Sequence, residues 1–380
     1  MNFKPLDAFL ERVLGAGIPG LDLKICLKGQ TVYRKAMGWR DRELGLPMTG
    51  EEAGWVFSVS KLVTCVAALQ LYERGLFQMT DPIREYLPCF GGMSVAHRQL
   101  SGWVDLLPAR RDITVHQLFT MTSGLDYDLH TPEIESAIQA TDGRAPTLEM
   151  MKAIAQRPLV FEPGEHYLYG LSHDVLAAMV EVLSGQRFCD YVRKHIFEPC
   201  GMSDTAYHPT EELKKRFARL YTFDEARRHA DPTDNNIDFV FGTEYDSGGA
   251  GMISTVDDYM AFINMLCAGG VTPEGERVLS GAAIALMRRN HLTPAQIADY
   301  AGDIYAGYGY GLGVRTLMDP APGGMLGPVG EFGWSGAAGA HAVIQPELGL
   351  TVYYSQHMLN DQELWSHPRL RNIIYACLEY

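Results

Sequence analysis

Residues 58–72 read S-V-S-K-L-V-T-C-V-A-A-L-Q-L-Y, and they form the most informative segment of the 380-residue chain. Lys61 is the one charged residue in this segment. Because apolar side chains fall on nearly every face at helical spacing, the sequence predicts a buried helix rather than an amphipathic one. Burying an ammonium group costs free energy, so a lysine in the first turn of such a helix requires an explanation.

Ser58 and Lys61 are three residues apart, which places them on one face of the predicted helix within contact distance. Ser58 would lie at the helix N-terminus, where free N–H groups and the helix dipole favour negative charge. Desolvation would lower the pKa of Lys61 towards neutrality, so that it could accept a proton from Ser58. The alternative is a serine N-cap beside a lysine that extends to solvent, and the pair alone leaves both interpretations open.

The composition is that of an ordinary soluble globular protein, with 47% hydrophobic and 21% charged residues. A formal net charge of −14 argues against non-specific binding to nucleic acid or to an anionic membrane, since both favour clustered Lys and Arg. The charge therefore argues against both of these partners. It does not indicate the oligomeric state.

The seven cysteines are odd in number and widely spaced, and no C-x-x-C pair occurs. This pattern argues against a disulfide framework or a zinc site and favours a reducing compartment. The N-terminus reads as an amphipathic helix without the features of a signal peptide, and no run of about 18 apolar residues suggests a membrane span. The sequence predicts a cytoplasmic protein without a metal or a cofactor.

Strand patterns occur near both ends of the chain, and helical patterns fill the middle. The predicted strands are residues 21–27, 31–39, 311–316, 339–345 and 350–356. We therefore predict an α+β fold in which residues 1–57 and 246–380 share one antiparallel sheet flanked by helices. Residues 58–245 would form a mainly helical insertion, with a ligand cleft between the two parts.

Capping signals place several of the helices. A capping box at Thr114 would open one helix that closes at Gly124, and Gly185 would end another that starts near Asp174. Thr255 would cap a further helix, and the last helix would start near Pro368. Residues 225–245 are polar and irregular, which predicts a long surface connection or a lid.

Several segments together resemble the serine β-lactamase and penicillin-binding-protein superfamily, in particular its class C β-lactamase-like branch. They begin with F-S-V-S-K-L-V-T at residues 57–64 and L-F-Q-M-T-D-P-I-R-E-Y-L-P at residues 76–88. They continue with I-T-V-H-Q-L-F-T-M-T-S-G-L at 113–125, G-G-A-G-M-I-S-T at 248–255 and Y-G-Y-G-L-G at 308–313. All of them occur in the order typical of this superfamily, which implies a β-lactamase/transpeptidase-like fold.

The second and third motifs depart from the β-lactamase pattern. No Y-x-N, S-x-N, K-x-G or H-x-G occurs in the chain. Tyr169-Gly170-Leu171 resembles the Y-S-L motif of the family VIII carboxylesterases, and Trp334-Ser335-Gly336 stands where K-T-G is expected. The resemblance implies Ser58 as nucleophile and Lys61 with Tyr169 as its proton-transfer pair. It further implies an oxyanion hole at the backbone N–H groups of Ser58 and Ala337, with Trp334, Ser335 and Gly336 lining the substrate site.

These departures favour ester over β-lactam hydrolysis. Trp334 cannot supply the positive charge with which a lysine binds the carboxylate of a β-lactam, and Leu171 cannot replace an asparagine amide. We therefore predict a serine carboxylesterase acting on small or bulky acyl esters. The alternatives are a β-lactamase, a D-aminopeptidase or an acyltransferase of the same superfamily, and more remotely a non-catalytic binding protein. The resemblance also implies a small-molecule ester or amide substrate, with Tyr127 and Tyr310 as candidate substrate contacts. His173 reads as a structural histidine or a pocket residue.

Overall fold

The computed structural model describes residues 1–99, 102–234, 237–301, 305–360 and 363–379. These residues form fifteen strands and thirteen α-helices. In chain order the strands are β1 Gly20–Leu27, β2 Gln30–Asp41, β3 Leu46–Pro47, β4 Ala53–Trp55, β5 Ser94–Arg98, β6 Val104–Pro108, β7 Tyr221–Asp224, β8 His229–Pro232, β9 Ile253–Thr255, β10 Tyr308–Tyr310, β11 Arg315–Leu317, β12 Phe332–Gly333, β13 His341–Gln345, β14 Leu350–Ser355 and β15 Met358–Leu359.

The helices alternate with these strands, and most of them lie between β4 and β10. In chain order they are α1 Lys4–Gly15, α2 Ser60–Glu73, α3 Val115–Phe119, α4 Pro132–Ala140, α5 Thr147–Ile154, α6 Ser172–Ser184, α7 Phe188–Val192, α8 Glu211–Lys214, α9 Val256–Cys267, α10 Gly281–Met287, α11 Pro294–Ala301, α12 Pro320–Gly323 and α13 Glu363–Glu379. Among the described residues, no helix combines the length and the apolarity that a membrane span requires.

One antiparallel sheet joins the two ends of the chain. Its eight strands have the order β10-β11-β12-β13-β14-β1-β2-β3, so that the N-terminal β1 pairs with the C-terminal β14. The side chains of Leu21, Leu23 and Ile25 alternate along β1 and pack against α1 and α13 on one face. On the opposite face α9 covers the sheet, and its Tyr259 stacks on Tyr353 of β14 with ring centroids 4.3 Å apart. The predicted α+β architecture, one antiparallel sheet flanked by helices, is confirmed.

The helical layer is built around α2. Its residues from Ser60 to Leu71 are all buried, as the even distribution of apolar side chains predicts, and α6 packs against it. The sequence signals for Thr114 and Gly185 are confirmed, because Thr114 forms a capping box with Gln117 and Gly185 ends α6 with a φ of 66°. Thr255 likewise caps α9. The predicted division of the chain at residues 57/58 and 245/246 stays a prediction.

Several local predictions are wrong or incomplete. Residues 311–316 are not one strand, because the chain reverses between β10 and β11, which pair with each other. The helix opened at Thr114 ends at Phe119 rather than at Gly124, since Met121 adopts a left-handed φ of 56°. Part of the segment 225–245 forms β8, which pairs with β7, whereas residues 235 and 236 lie outside the described residues.

The C-terminal helix also begins earlier than predicted. It starts at Glu363, five residues before Pro368, which lies inside the helix. A proline removes one backbone hydrogen bond from a helix, and near the start it interrupts only the first turns. The buried side chains of Ser366, His367 and Leu370 anchor the helix around this position, so packing overrides the local signal.

Candidate functional site

Ser58 lies on a short 3-10 turn, Phe57–Val59, that leads from β4 into α2. The prediction that the α-helix begins at Ser58 is therefore wrong by two residues. Phe57 adopts a left-handed φ of 48°, which no α-helix accommodates, so the regular helix starts at Ser60. This turn leaves Ser58 partly exposed while its neighbours Phe57 and Val59 are buried.

The ammonium group of Lys61 is completely buried beneath Ser58, with an exposed fraction of 0%. Its Nζ donates to Ser58 Oγ at 3.3 Å, to the hydroxyl of Tyr127 at 3.1 Å and to the carbonyl of Gly249 at 2.6 Å. Burial lowers the pKa of Lys61 to about 7, while the nearby carboxylate of Asp174 acts in the opposite direction. Lys61 can therefore exchange a proton near neutral pH, and the solvent-extended alternative is excluded.

Asp174 provides a buried negative charge close to Lys61. Its carboxylate accepts hydrogen bonds from Tyr245 at 3.0 Å and from Ser247 at 2.7 Å. Burial raises the pKa of Asp174, whereas the charge of Lys61 and these hydrogen bonds lower it. A Cβ atom on Gly249 would lie 2.4 Å from Asp174 Oδ2, so glycine is required where the loop passes between the acid and the lysine. The sequence placed Asp174 near the start of a helix, and the structure puts it in the first turn of α6, but nothing in the sequence indicated its position beside Lys61.

Tyr169 completes the group around Ser58. Its ring lies beside Lys61, with Nζ 4.6 Å from the ring centroid, and its hydroxyl accepts a hydrogen bond from Trp334 Nε1 at 3.0 Å. Burial raises the pKa of Tyr169, and its hydrogen bonds with Ser58 and Trp334 oppose that shift. The structure thus brings Tyr169 next to Ser58 and Lys61, which lie more than 100 residues earlier in the sequence.

The segment from Trp334 to Ala337 forms the opposite wall. Trp334 packs against Tyr169 with ring centroids 5.6 Å apart, and Ser335 Oγ lies 2.9 Å from His341 Nδ1. A Cβ atom on Gly336 would lie only 2.2 Å from the carbonyl oxygen of Val56, so glycine allows this segment to approach the chain just before Ser58. Ala337 is exposed.

These residues surround a cavity of about 330 Å³. It is lined by Ser58, Tyr167, Tyr169, Tyr300, Tyr305, Trp334, Ser335, Gly336, Ala337 and Glu363. The cavity thus contains six of the seven site residues predicted from the sequence, and the seventh, Lys61, lies directly beneath it. A larger cavity of about 550 Å³ beside β5 and β6 has none of these residues in its walls.

Comparison with known proteins identifies the family. The model of the β-lactamase family matches residues 6–371, which is nearly the whole chain. The chain belongs to the β-lactamase family of serine hydrolases. The resemblance predicted from the motifs is therefore confirmed.

Individual relatives in the β-lactamase family carry several activities. The chain is 30% identical over 370 residues to esterase EstB from Burkholderia gladioli, covering 91% of this chain and 88% of that protein. It is 27% identical over 383 residues to acyltransferase calJ from Penicillium decumbens, covering 93% of this chain and 87% of that protein. Among solved structures, EstCE1, a hydrolase with promiscuous acyltransferase activity, superposes with a TM-score of 0.77 at 24% identity over 97% of this chain and 99% of that one.

The structure also clarifies three side chains that the sequence left open. The hydroxyl of Tyr127 contacts Lys61, and Tyr127 is not among the described residues that line the cavity. His173 is completely buried and its Nε2 lies 3.1 Å from the carbonyl oxygen of Phe119, which is a structural arrangement. Tyr310 is buried behind Trp334, with ring centroids 5.1 Å apart, and does not line the cavity.

One group of potential metal ligands lies away from this cavity. Side-chain atoms of Cys189, His208 and Asp246 lie within 4.8 Å of one another. The Asp246 carboxylate already accepts from Arg187 at 2.9 Å and lies 2.6 Å from His208 Nε2. Because Arg187 supplies the positive charge that a metal ion would bring, we interpret the group as an ion-pair network.

The close approach at Gly336 gives a first testable prediction. Gly336→Ala should lower the free energy of unfolding by about 1–3 kcal/mol, because the new methyl group forces the third-motif segment away from Val56. Urea denaturation followed by circular dichroism measures the change. Gly281→Ala, at the start of α10 where the nearest atom is 3.7 Å away, is the matched control and should be neutral or stabilising. Equal stability of the two variants would contradict the prediction.

Proposed function

We propose that this β-lactamase-family protein is a carboxylesterase that forms an acyl-enzyme on Ser58. The observation that carries the proposal is the contact between Ser58 Oγ and Lys61 Nζ, 3.3 Å apart, inside a buried site that lowers the pKa of the lysine to about 7. A serine hydroxyl is a weak nucleophile until a neighbouring base takes its proton. Lys61 acts as this base, because it contacts Ser58 and has a lowered pKa. The hydroxyl of Tyr169 lies in the same hydrogen-bonded group and relays the proton.

In the proposed reaction Ser58 Oγ attacks the carbonyl carbon of the ester while its proton passes to the Lys61–Tyr169 pair. The backbone N–H groups of Ser58 and Ala337 stabilise the negative charge that develops on the carbonyl oxygen. When the tetrahedral intermediate collapses, the bond to the alcohol breaks, and the pair returns the proton to the leaving oxygen. Water then attacks the acyl-enzyme in the same way and releases the carboxylic acid and free Ser58.

The walls of the cavity support a preference for esters over β-lactams. A β-lactam carries a carboxylate, which needs a cationic partner. Among the described residues that line the cavity, none has a cationic side chain, and Glu363 contributes a like charge. Trp334 occupies the position of the usual lysine, and its Nε1 is already hydrogen-bonded to Tyr169.

The substrate preference is tested with p-nitrophenyl butyrate and nitrocefin, with Ser58→Ala protein as the background. We expect kcat/KM for the ester to exceed that for nitrocefin by roughly 100-fold, the loss typical of a missing charge-assisted hydrogen bond. Comparable turnover of nitrocefin would contradict the esterase assignment. Failure to cleave either compound would contradict the proposed hydrolase activity on these substrates.

Acyl transfer to an alcohol is the second candidate, favoured by the similarity to acyltransferase calJ. The first half-reaction is the same, and an alcohol replaces water in the second. Adding a primary alcohol to the p-nitrophenyl butyrate reaction separates the two functions. A hydrolase releases butyrate at an undiminished rate, whereas a transferase forms the new ester and deacylates slowly without the acceptor.

A further inference from the structure

Ser335 lines the cavity and faces His341 across a tight hairpin. Backbone hydrogen bonds of 2.8 and 2.9 Å lie on either side of this pair, so the two residues do not bond to each other through the backbone. Side chains in such a pair lie close together on one face of the hairpin. This geometry accounts for the distance of 2.9 Å between Ser335 Oγ and His341 Nδ1.

The imidazole of His341 is neutral in its surroundings. The residue is buried, and this burial together with the neighbouring His367, Arg315 and Arg371 holds the pKa of His341 well below its usual range. The ring of His367 stacks on that of His341, with centroids 4.1 Å apart. In a neutral imidazole one nitrogen donates a hydrogen bond and the other accepts one.

The contact with Arg371 shows which nitrogen of His341 accepts. Nε2 of His341 lies 3.5 Å from Nη1 of Arg371, which is buried on α13. A guanidinium group donates hydrogen bonds and accepts none, so Nε2 is the acceptor and has no proton. The proton of the ring therefore lies on Nδ1, the nitrogen that faces Ser335.

This tautomer determines what the Ser335 hydroxyl offers to a substrate. Nδ1–H of His341 donates to Ser335 Oγ, so the hydroxyl keeps its own proton for another acceptor. Among the residues that the structure describes, the Ser335 side chain has no second hydrogen-bond partner. Because Ser335 lines the cavity, an acceptor atom of a bound substrate can take this hydrogen bond.

We propose that His341 is a positioning residue that fixes the Ser335 hydroxyl as a hydrogen-bond donor to the substrate, so that the site prefers esters with a second acceptor oxygen. The opposite tautomer would make Ser335 donate to His341 and offer a substrate only its lone pairs. An apolar group placed against Ser335 would leave the hydroxyl without a partner, which costs binding free energy. This inference rests on the proposed esterase function and specifies its substrate class.

The tautomer is measured directly on wild-type protein labelled with ¹⁵N-histidine. Long-range ¹H–¹⁵N spectra distinguish protonated from unprotonated ring nitrogens by their chemical shifts, and the His341→Asn protein assigns the signal by its absence. At neutral pH we expect a proton on Nδ1 of His341 and none on Nε2. A proton on Nε2 would overturn the inference, because Ser335 would then have to donate to His341.

The substrate preference is tested with two pairs of esters of similar shape. In the first pair, p-nitrophenyl 4-oxopentanoate and p-nitrophenyl 4-methylpentanoate, the acyl part differs by the additional oxygen. In the second pair, 2-methoxyethyl butyrate and butyl butyrate, the alcohol part differs. After normalisation to alkaline hydrolysis of the same esters, we expect kcat/KM in at least one pair to be about fivefold or more higher for the ester with the additional oxygen. The gain should appear mainly in KM, since the contact is remote from the bond that breaks.

Two kinds of variant locate the origin of this preference. Ser335→Ala should reduce it to about twofold or less. His341→Leu should do the same, because the Ser335 hydroxyl is no longer held by an N–H donor. His341→Asn should retain the preference, since its amide offers an N–H near the position of Nδ1. Loss of the preference in both His341 variants alike would overturn the positioning role.

Ser355→Ala is the matched control for Ser335→Ala. Ser355 also lies beside a histidine, with its Oγ 3.2 Å from His357 Nε2, but it is not among the described residues that line the cavity. It should leave the preference unchanged. A preference that is absent in both ester pairs, or that Ser335→Ala leaves intact, would overturn the inference.

The spectrum separates this inference from the esterase proposal, because it requires no turnover. A proton on Nδ1 in a protein that hydrolyses no ester would overturn the esterase proposal and support Ser335 as a donor towards the cavity. Equal hydrolysis of the two esters in each pair would leave the esterase proposal standing and overturn the inferred substrate preference.

Discussion

Ser58→Ala protein is expected to hydrolyse p-nitrophenyl butyrate with a kcat at least about 10⁴-fold below that of the wild type, because no other group can form the acyl-enzyme. Lys61 and Tyr169 have no role in the absence of a nucleophile to activate. The residual hydrolysis by the Ser58→Ala protein then comes from direct attack by water, assisted by the oxyanion hole and by substrate binding. Stopped-flow release of p-nitrophenolate should also lose its burst, and the intact mass should show no butyryl adduct.

Ser60→Ala is the matched control for this prediction. Ser60 lies two residues further along in α2, is completely buried, and donates to the carbonyl of Phe57 at 2.6 Å while it accepts from Met252 N–H at 3.2 Å. Its removal should cost about 1–3 kcal/mol of stability, because it leaves buried backbone groups unpaired, but it should keep most of the activity. If Ser58→Ala retains a tenth of the wild-type rate while Ser60→Ala does not, the nucleophile is assigned wrongly.

The sequence predicted the contacts and burial of the first motif better than its backbone. The spacing of Ser58 and Lys61 indicated contact, and the even apolar coverage of the helix indicated burial; both are confirmed. The left-handed turn at Phe57, which shifts the helix start to Ser60, was not predictable. It depends on the pairing of β4 with β9, about 200 residues away in the sequence.

The residues that surround the motif were harder to predict for the same reason. Tyr127 and Asp174 act on Lys61 through contacts that exist only after α2, α6 and the loop at Gly249 have packed together. The position of Glu363 in the cavity wall was not predicted, because Pro368 suggested a later helix start that would leave Glu363 in a loop. Motif order therefore indicated the proposed nucleophile, whereas its electrostatic surroundings required the tertiary structure.

The pH dependence of catalysis should report the protonation of Lys61. Its pKa is lowered to about 7, so it is protonated and unable to accept the Ser58 proton below that pH, and neutral above it. We therefore expect kcat/KM for p-nitrophenyl butyrate to rise with pH through an inflection near 7. Lys61→Arg keeps a positive charge but stays protonated, so it should lose about 10²–10⁴-fold in kcat and show no such inflection. An active Lys61→Arg protein would contradict the role of Lys61 as base.

Asp174→Asn identifies which group causes the inflection. The Asp174 carboxylate favours protonated Lys61 and raises its pKa, so removal of this charge should move the inflection to lower pH. The direction of this pH shift is informative, because a general loss of packing would lower kcat without moving the inflection of the pH profile. Glu149→Gln, which removes an exposed carboxylate whose partner is Lys152, is the control and should leave the profile unchanged. An inflection that stays in place in Asp174→Asn would mean that a group other than Lys61 titrates there.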